Sequence, residues 1–255
     1  MNKNLKISAW IITAFLLVAA SKPVVPSLQQ AENLEKAGKY LEARKIYEDL
    51  LKHSGLSGDK KKKIQKEYEA LNLKVLYSKL KTPDSTIYTV QEKDRLFTIA
   101  QKFKTTMELI KKSNGLKNDI VYPGLKLKIE KGIFSIAVDK SKNILTLRLD
   151  GKPIKHYEIA TGMKNGTPIG TFHIINKVEN PTWYKAAAVI PPKSPKNFLG
   201  TRWLGFDYPG YGIHGTSEPE SIGKHASSGC VRMRNKEVEE LYSLVPNGIT
   251  VTITD

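Results

Sequence analysis

The chain has 255 residues, 40% of them hydrophobic and 26% charged, which excludes a disordered chain and leaves room for two or three small units. Its 41 basic residues against 25 acidic ones give a formal charge of +16, spread along the length rather than gathered in one arm. That spread argues against a nucleic-acid binder, whose charge concentrates on one face, and suits an anionic neighbourhood such as phospholipid head groups or an acidic cell wall.

At the N-terminus, Lys3 and Lys6 precede an uncharged run from Ile7 to Ala20 that ends in small residues before Lys22 and Pro23. Charged, then apolar, then small is the order of a secretory signal. The run falls short of the roughly 20 apolar residues a spanning helix needs. Residues 1–20 are therefore expected to be a signal peptide or a membrane anchor, with cleavage favoured. Export would end in the cell wall, the periplasm or the outer face of the cytoplasmic membrane. Cys230 is the single cysteine of the chain. Exported proteins usually pair their cysteines, and this one has no partner in its own chain, so it is either a small buried residue or a used thiol.

Residues 28–80 read as a helical hairpin. Leu34, Ala37, Leu41, Ile46, Leu50 and Leu51 recur at helical spacing, and Ile64, Tyr68, Leu71 and Val75 do so after a break at Gly55–Gly58. The stretch Ala37–Ala43, followed by Tyr47 and Leu50, resembles one tetratricopeptide-type repeat. One repeat cannot bury a continuous core, so this segment reads as a spacer or as a docking surface for a protein partner. Lys60–Lys63 reads as a solvated helix start.

The polar turn Thr82–Ser85 marks the next boundary. Ile87–Val90 alternates like a strand. Asp94 is placed to cap a helix holding Leu96, Ile99, Ala100 and Phe103, and Thr105 a second helix with Leu109 and Ile110. Asn114-Gly115 closes that helix, and Tyr122-Pro123-Gly124 turns into the strand Leu125–Ile129. Over residues 86–130 this small α+β unit resembles the LysM domain, through Tyr88-Thr89-Val90, Asp94, Leu96, Ile99-Ala100, Leu109, Asn114-Gly115 and Tyr122-Pro123-Gly124. Lys93 and Leu125 depart from the usual Gly and Gln, and Lys93 places a side chain in a tight turn. The resemblance implies binding to glycan strands that contain N-acetylglucosamine, such as those of peptidoglycan.

From Gly132 the pattern becomes short strands and turns. Phe134, Ile136 and Val138 alternate, as do residues Ile144–Leu147, and Asp150-Gly151 starts a hairpin into Ile154–Ala160. Phe172–Ile174, Ala187–Ile190 and Ile249–Ile253 supply more strands, and Lys236–Leu244 a helix that Asn235 would cap. Residues 132–255 thus read as one mostly-β domain.

Within it, Tyr211–Thr216 is followed by a polar loop and then Ser227-Ser228-Gly229-Cys230-Val231-Arg232-Met233. A thiol that attacks a carbonyl needs a base or a positive neighbour. His214 ends a strand-like run, Gly215 lets the chain leave sharply, and the loop is long enough to fold imidazole against sulfur. Amides around Gly229 and Cys230 could point at a developing oxyanion. Arg232, two residues on, would share a face with Cys230 and suit a substrate carboxylate. His225 is a rival base, whereas His156 and His173 read as ordinary strand residues and His53 as a surface helix residue.

His214-Gly215-Thr216 and Ser227–Met233 together resemble the signature of the L,D-transpeptidase (YkuD-type) catalytic domain. Thr161-Gly162, Thr167–Phe172 and Asn180-Pro181 match upstream. The resemblance implies a β-rich fold and a ping-pong acyl transfer with neither metal nor organic cofactor. Cys230 would attack the L,D amide of a peptidoglycan stem peptide and expel D-alanine, and a neighbouring stem's side-chain amine would take the thioester, forming a 3→3 cross-link. His214 would be the base, the Gly215 carbonyl would orient it, and Arg232, with Ser228 and Gly229 beside the thiol, would hold the donor. Ser228 stands where many members carry His. An L,D-carboxypeptidase that passes the same intermediate to water, and a non-catalytic wall-binding protein, are the alternatives. The combination of His214, Cys230 and Arg232 weighs against the second.

Overall fold

The computed structural model describes residues 27–255 apart from 54, 186 and 187, so the expected signal or anchor and the start of the strand at Ala187 lie outside the described residues. The chain opens with three helices, α1 (Leu28–Lys36), α2 (Tyr40–Lys52) and α3 (Gly58–Leu76), where the spacing suggested two. Leu34, Ala37 and Leu41 do keep helical spacing, but Gly38 takes φ +74° between them. There the Gly38 N–H reaches Glu35 O and the Lys39 N–H reaches Leu34 O, a pair of bonds that ends α1 and restarts the chain. Ala31, Ala43, Tyr47, Leu50, Ile64, Leu71 and Val75 form the core of this unit.

Next come β1 (Ser85–Thr89), α4 (Leu96–Lys102), α5 (Met107–Asn114) and β2 (Lys126–Glu130), with β1 and β2 antiparallel. The expected elements are all present, but two caps are displaced. Asp94 does not cap α4; Arg95 holds that position. The Asp94 carboxylate instead accepts from Tyr88 Oη (2.7 Å) and the Gln91 N–H (2.8 Å), closing the turn in which Lys93 takes φ 69°. α5 is capped by Thr106, whose hydroxyl accepts from the Leu109 N–H, and not by Thr105, which is buried. Gly115 ends α5 in the left-handed region, as Asn114-Gly115 suggested.

The remainder holds β3 (Phe134–Asp139), β4 (Ile144–Leu149), β5 (Lys152–Glu158), β6 (Thr161–Gly162), β7 (Gly170–Glu179), β8 (Trp183–Lys185), β9 (Ala188–Ile190), β10 (Arg202–Phe206), β11 (Gly212–His214), β12 (His225–Ser227), β13 (Val231–Arg232), α6 (Asn235–Leu244) and β14 (Thr250–Thr254). Eight strands make one sheet in the order β13-β11-β10-β7-β14-β3-β4-β5. β8 pairs with β9 alone, and β12 with β6. Asp150 and Gly151 both take positive φ in the β4–β5 turn, the geometry a two-residue hairpin favours. The protein is thus multidomain, with N-terminal helices, a small α+β unit and a mostly-β unit.

The three units share packing. Leu73 and Leu76 of α3 and Leu109 of α5 belong to the same buried cluster as Ile136, Leu145, Leu147, Val238 and Val251. α3 also covers the edge strand β5: Asn72 Nδ2 donates to Ile154 O at 3.0 Å, and Glu69 accepts from the His156 ring nitrogen at 2.6 Å. An open sheet edge is thereby closed by a helix. The other edge, at β13, carries the candidate site.

Candidate functional site

β11 and β13 run parallel, with Ile213 opposite Val231 and His214 opposite Arg232. Side chains alternate between sheet faces, and partners in register share a face. His214, Arg232 and, two residues before Arg232, Cys230 therefore lie on one face, with the side-chain-free Gly212 beside the cysteine. Cys230 enters β13 from a turn built on Ser227, whose hydroxyl donates to Cys230 O (2.6 Å) and accepts from the Gly229 N–H (3.0 Å). Sγ lies 3.5 Å from Gly210 O as a weak donor. Burial pushes the thiol up, and the Gly212 backbone and the Arg232 guanidinium only partly offset this.

His214 is buried beneath Trp203, its ring stacked at 5.9 Å between centroids. Its Nδ1 stands 2.6 Å from Gly215 O. A carbonyl can only accept, so the proton sits on Nδ1 and Nε2 keeps its lone pair. Burial lowers the ring's pKa from 6.5 to about 4, opposed by the Gly215 hydrogen bond and reinforced by Arg232. Neutral imidazole and neutral thiol are the resting forms at physiological pH.

Asn235 is the first residue of α6 and not its cap, a position that Arg234 takes. Its side chain is engaged elsewhere. Oδ1 accepts from the Thr216 N–H (3.1 Å) and the Thr201 N–H (3.2 Å), and Nδ2 donates to Thr216 O (3.0 Å). A Cβ on either Gly200 or Gly215 would collide with that same Oδ1. Gly215 is thus a glycine because the Asn235 amide fills the side-chain position, and the carbonyl that meets His214 is fixed from behind.

Two expectations change. The Gly229 N–H, offered as an oxyanion donor, is already bonded to Ser227 Oγ. The close approach that Gly229 permits, at φ +144°, is to Tyr211 and Gly166 O within the protein. Arg232 is mostly buried, and its Nη1 holds Glu218 Oε2 at 2.8 Å, so its fork is not an open carboxylate site. Ser228 is exposed beside the thiol turn. His225 bonds to Thr161 Oγ1 at 2.7 Å, which ties the loop before Cys230 to β6. Ala160 and Arg232 exchange two backbone hydrogen bonds at 2.9 Å, so the cysteine strand is held on both sides. His156 pairs with Glu69 and His173 with Asp207.

A cavity of about 540 Å³ opens onto Cys230, lined by Asn180, Pro181, Trp183, Tyr184, Trp203 and Gly210 among others. Asn180-Pro181 belonged to the upstream sequence match. Trp183, Tyr184, Trp203 and Glu218 were not singled out in the sequence. Among the described residues, no group of three or more His, Cys, Asp or Glu could hold a metal ion.

The family model for the L,D-transpeptidase catalytic domain (YkuD) matches residues 134–253, and that for the LysM domain matches residues 88–130. A Bacillus subtilis protein named "Putative L,D-transpeptidase YkuD" is 40% identical over 174 residues, 65% of this chain and 97% of that one. A second from the same organism, "Putative L,D-transpeptidase YqjB", is 45% identical over 126 residues, covering 47% of this chain and 70% of the relative. Among solved structures, an L,D-transpeptidase from Mycobacterium smegmatis aligns with 52% of this chain and 64% of its own, at 19% identity and a TM-score of 0.42. The family models and the 40% identity across nearly the whole of one relative agree: this chain belongs to the L,D-transpeptidase family, with a LysM domain ahead of its catalytic domain.

Proposed function

We propose that this protein is an exported acyltransferase that forms 3→3 cross-links in peptidoglycan through a thioester on Cys230. The observation that carries the reading is the β11–β13 pairing, which sets buried His214 on the same face as Cys230, with Cys230 lining a cavity. The donor stem enters that cavity, where Trp183, Tyr184 and Trp203 offer apolar faces and Asn180 a polar one.

Because thiol and imidazole both rest neutral, attack is coupled to proton transfer rather than launched from a standing thiolate. Sγ forms a bond to the carbonyl carbon as the S–H proton passes to His214 Nε2. The Cys230 amide supports the oxyanion, since the Gly229 amide is committed to Ser227. The carbon–nitrogen bond then breaks, and His214 returns the proton to the departing D-alanine amine. In the second half, a side-chain amine of a neighbouring stem attacks the thioester and gives its proton to His214. The carbon–sulfur bond breaks and the thiol is restored. Arg232, held by Glu218, keeps positive charge beside the pair without being spent on the substrate.

The LysM unit would hold the glycan strand in a cleft of about 430 Å³ between the β1–α4 and α5–β2 connections, lined by Asp94, Arg95, Phe97, Met107, Ile120 and Val121 among others. Phe97 and Ile120 are both more than half exposed there and offer apolar faces to sugar rings.

Incubation with a tetrapeptide stem and an amine-bearing acceptor stem tests the reading. Release of D-alanine together with a cross-linked dimer is expected, and Cys230→Ala should abolish both. D-alanine without dimer would reassign the protein as a carboxypeptidase; release undiminished by Cys230→Ala would remove the thiol from the mechanism.

A further inference from the structure

The LysM cleft does not stop at the LysM unit. Phe97 and Met107, which line it, also line a second hollow of about 480 Å³. The far wall of that hollow belongs to the catalytic unit: Lys177 of β7, and Pro246 and Asn247 between α6 and β14. Phe97, Ala100 and Gln101, on one face of α4, form its near wall with Lys104 just beyond the end of the helix. The face thus leads from the mouth of the LysM cleft to the seam between units.

The seam is rigid. Thr106 Oγ1 donates to Ser243 O at 2.5 Å, and Lys112 Nζ to Ser243 Oγ at 3.0 Å. Leu109 sits in the core of the catalytic unit. From the other side, Lys177 Nζ donates to Tyr242 O (2.7 Å) and Val245 O (2.8 Å), which fixes the turn that presents Asn247. Whatever binds across the seam therefore meets a preformed surface and need not order it.

The chemistry of that surface matches the cleft it continues. Phe97 is a 55% exposed ring at the junction. Gln101 and Asn247, both exposed, bring side-chain amides to opposite walls, and neither makes a side-chain hydrogen bond within the described residues. An amide side chain both donates and accepts, which suits the hydroxyl and N-acetyl groups of an amino sugar. We propose that the glycan site is composite: an N-acetylhexosamine strand held by the LysM cleft continues past Phe97 across the seam and is gripped by Gln101 and Asn247. This deepens the glycan-binding reading above and rests on it. Its consequence is that the catalytic unit contributes directly to holding the strand, so the strand has a fixed course on the enzyme that carries Cys230.

The test compares short and long β-linked N-acetylglucosamine oligomers, the dimer through the hexamer, titrated into the whole chain and followed by NMR. Wild type should bind the hexamer better than the dimer. Asn247→Ala and Gln101→Ala should leave dimer affinity unchanged and each lower hexamer affinity about tenfold, in line with the loss of a hydrogen bond or two. Phe97→Ala should weaken both oligomers. If the two amide variants keep the wild-type gain with length, the strand does not cross the seam and the proposal falls, although the LysM cleft still binds. If wild type binds no oligomer, the glycan reading itself fails and takes the composite site with it.

Discussion

The side chain of Asn235 reaches from the start of α6 to hold both backbone groups of Thr216, immediately after the glycine whose carbonyl meets His214 Nδ1. Replacing it with alanine leaves three backbone groups short of partners and frees the Gly215 peptide to drift. Asn235→Ala is expected to lower kcat about 100-fold with KM little changed, the scale of a small misplacement of a reacting group. Stopped assays of D-alanine release, with a thermal melt to verify folding, check this. His214 has a second consequence. Its folded pKa is depressed to about 4 from 6.5, so the unfolded chain takes up the proton first as pH falls. The associated stability is present above about pH 6.5 and is lost toward pH 4, by roughly 3 kcal/mol. Urea unfolding across that window should show the loss in wild type and a shallower slope in His214→Gln. Of these residues, Cys230 and His214 stood out as candidates by type and spacing, and Gly215 through the family resemblance, with which the short contact between its carbonyl and His214 Nδ1 agrees. Asn235 was misread as a cap and Glu218 passed unnoticed. Their partners lie on other elements, and no local pattern records that.

At the level of elements, alternation and turns carried most of the fold. The strands at Phe134, Ile144, Ile154, Phe172 and Ile249, the Asp150-Gly151 hairpin and the Asn114-Gly115 helix end appear where the pattern put them, whereas β8 and β10 were not among the expected strands. Two of the three misplaced caps share a cause: Asp94 and Asn235 spend their polar atoms on other contacts, so a neighbouring residue takes the cap position. β2 is the clearest case of tertiary override. Leu125–Ile129 alternates as if Lys126 and Lys128 faced water, yet Lys128 is buried. Its Nζ donates to Val75 O (3.0 Å) and Ser78 O (3.1 Å) at the C-terminal end of α3, where cations are favoured. Burial lowers its pKa, but the amine stays bonded to carbonyls. Lys128→Met should keep the stem's volume and strand those carbonyls, costing about 2 kcal/mol in chemical denaturation. A neutral result would mean that water replaces the amine there.

On the scale of the whole molecule, the three units are joined through one core and not strung on linkers. Leu73, Leu76 and Leu109 contribute to the cluster that supports the catalytic sheet, and α3 closes the sheet edge opposite the site. A single thermal transition is therefore expected, with Leu109→Ala lowering it as a whole by about 2–5 kcal/mol of stability. Calorimetry that resolved a separate LysM transition would contradict this. How the units pack was not legible in the sequence, because the residues at the joins, Leu73, Leu76 and Leu109, look like ordinary members of their own helices. The central claim, that the thiol at the β13 edge carries the acyl group, is tested most directly by intact-mass measurement during turnover of a tetrapeptide stem. The account predicts a protein population heavier by the donor acyl group, with the added mass mapped to Cys230 and absent from Cys230→Ala. D-alanine release with no adduct at Cys230, persisting in Cys230→Ala, would contradict it.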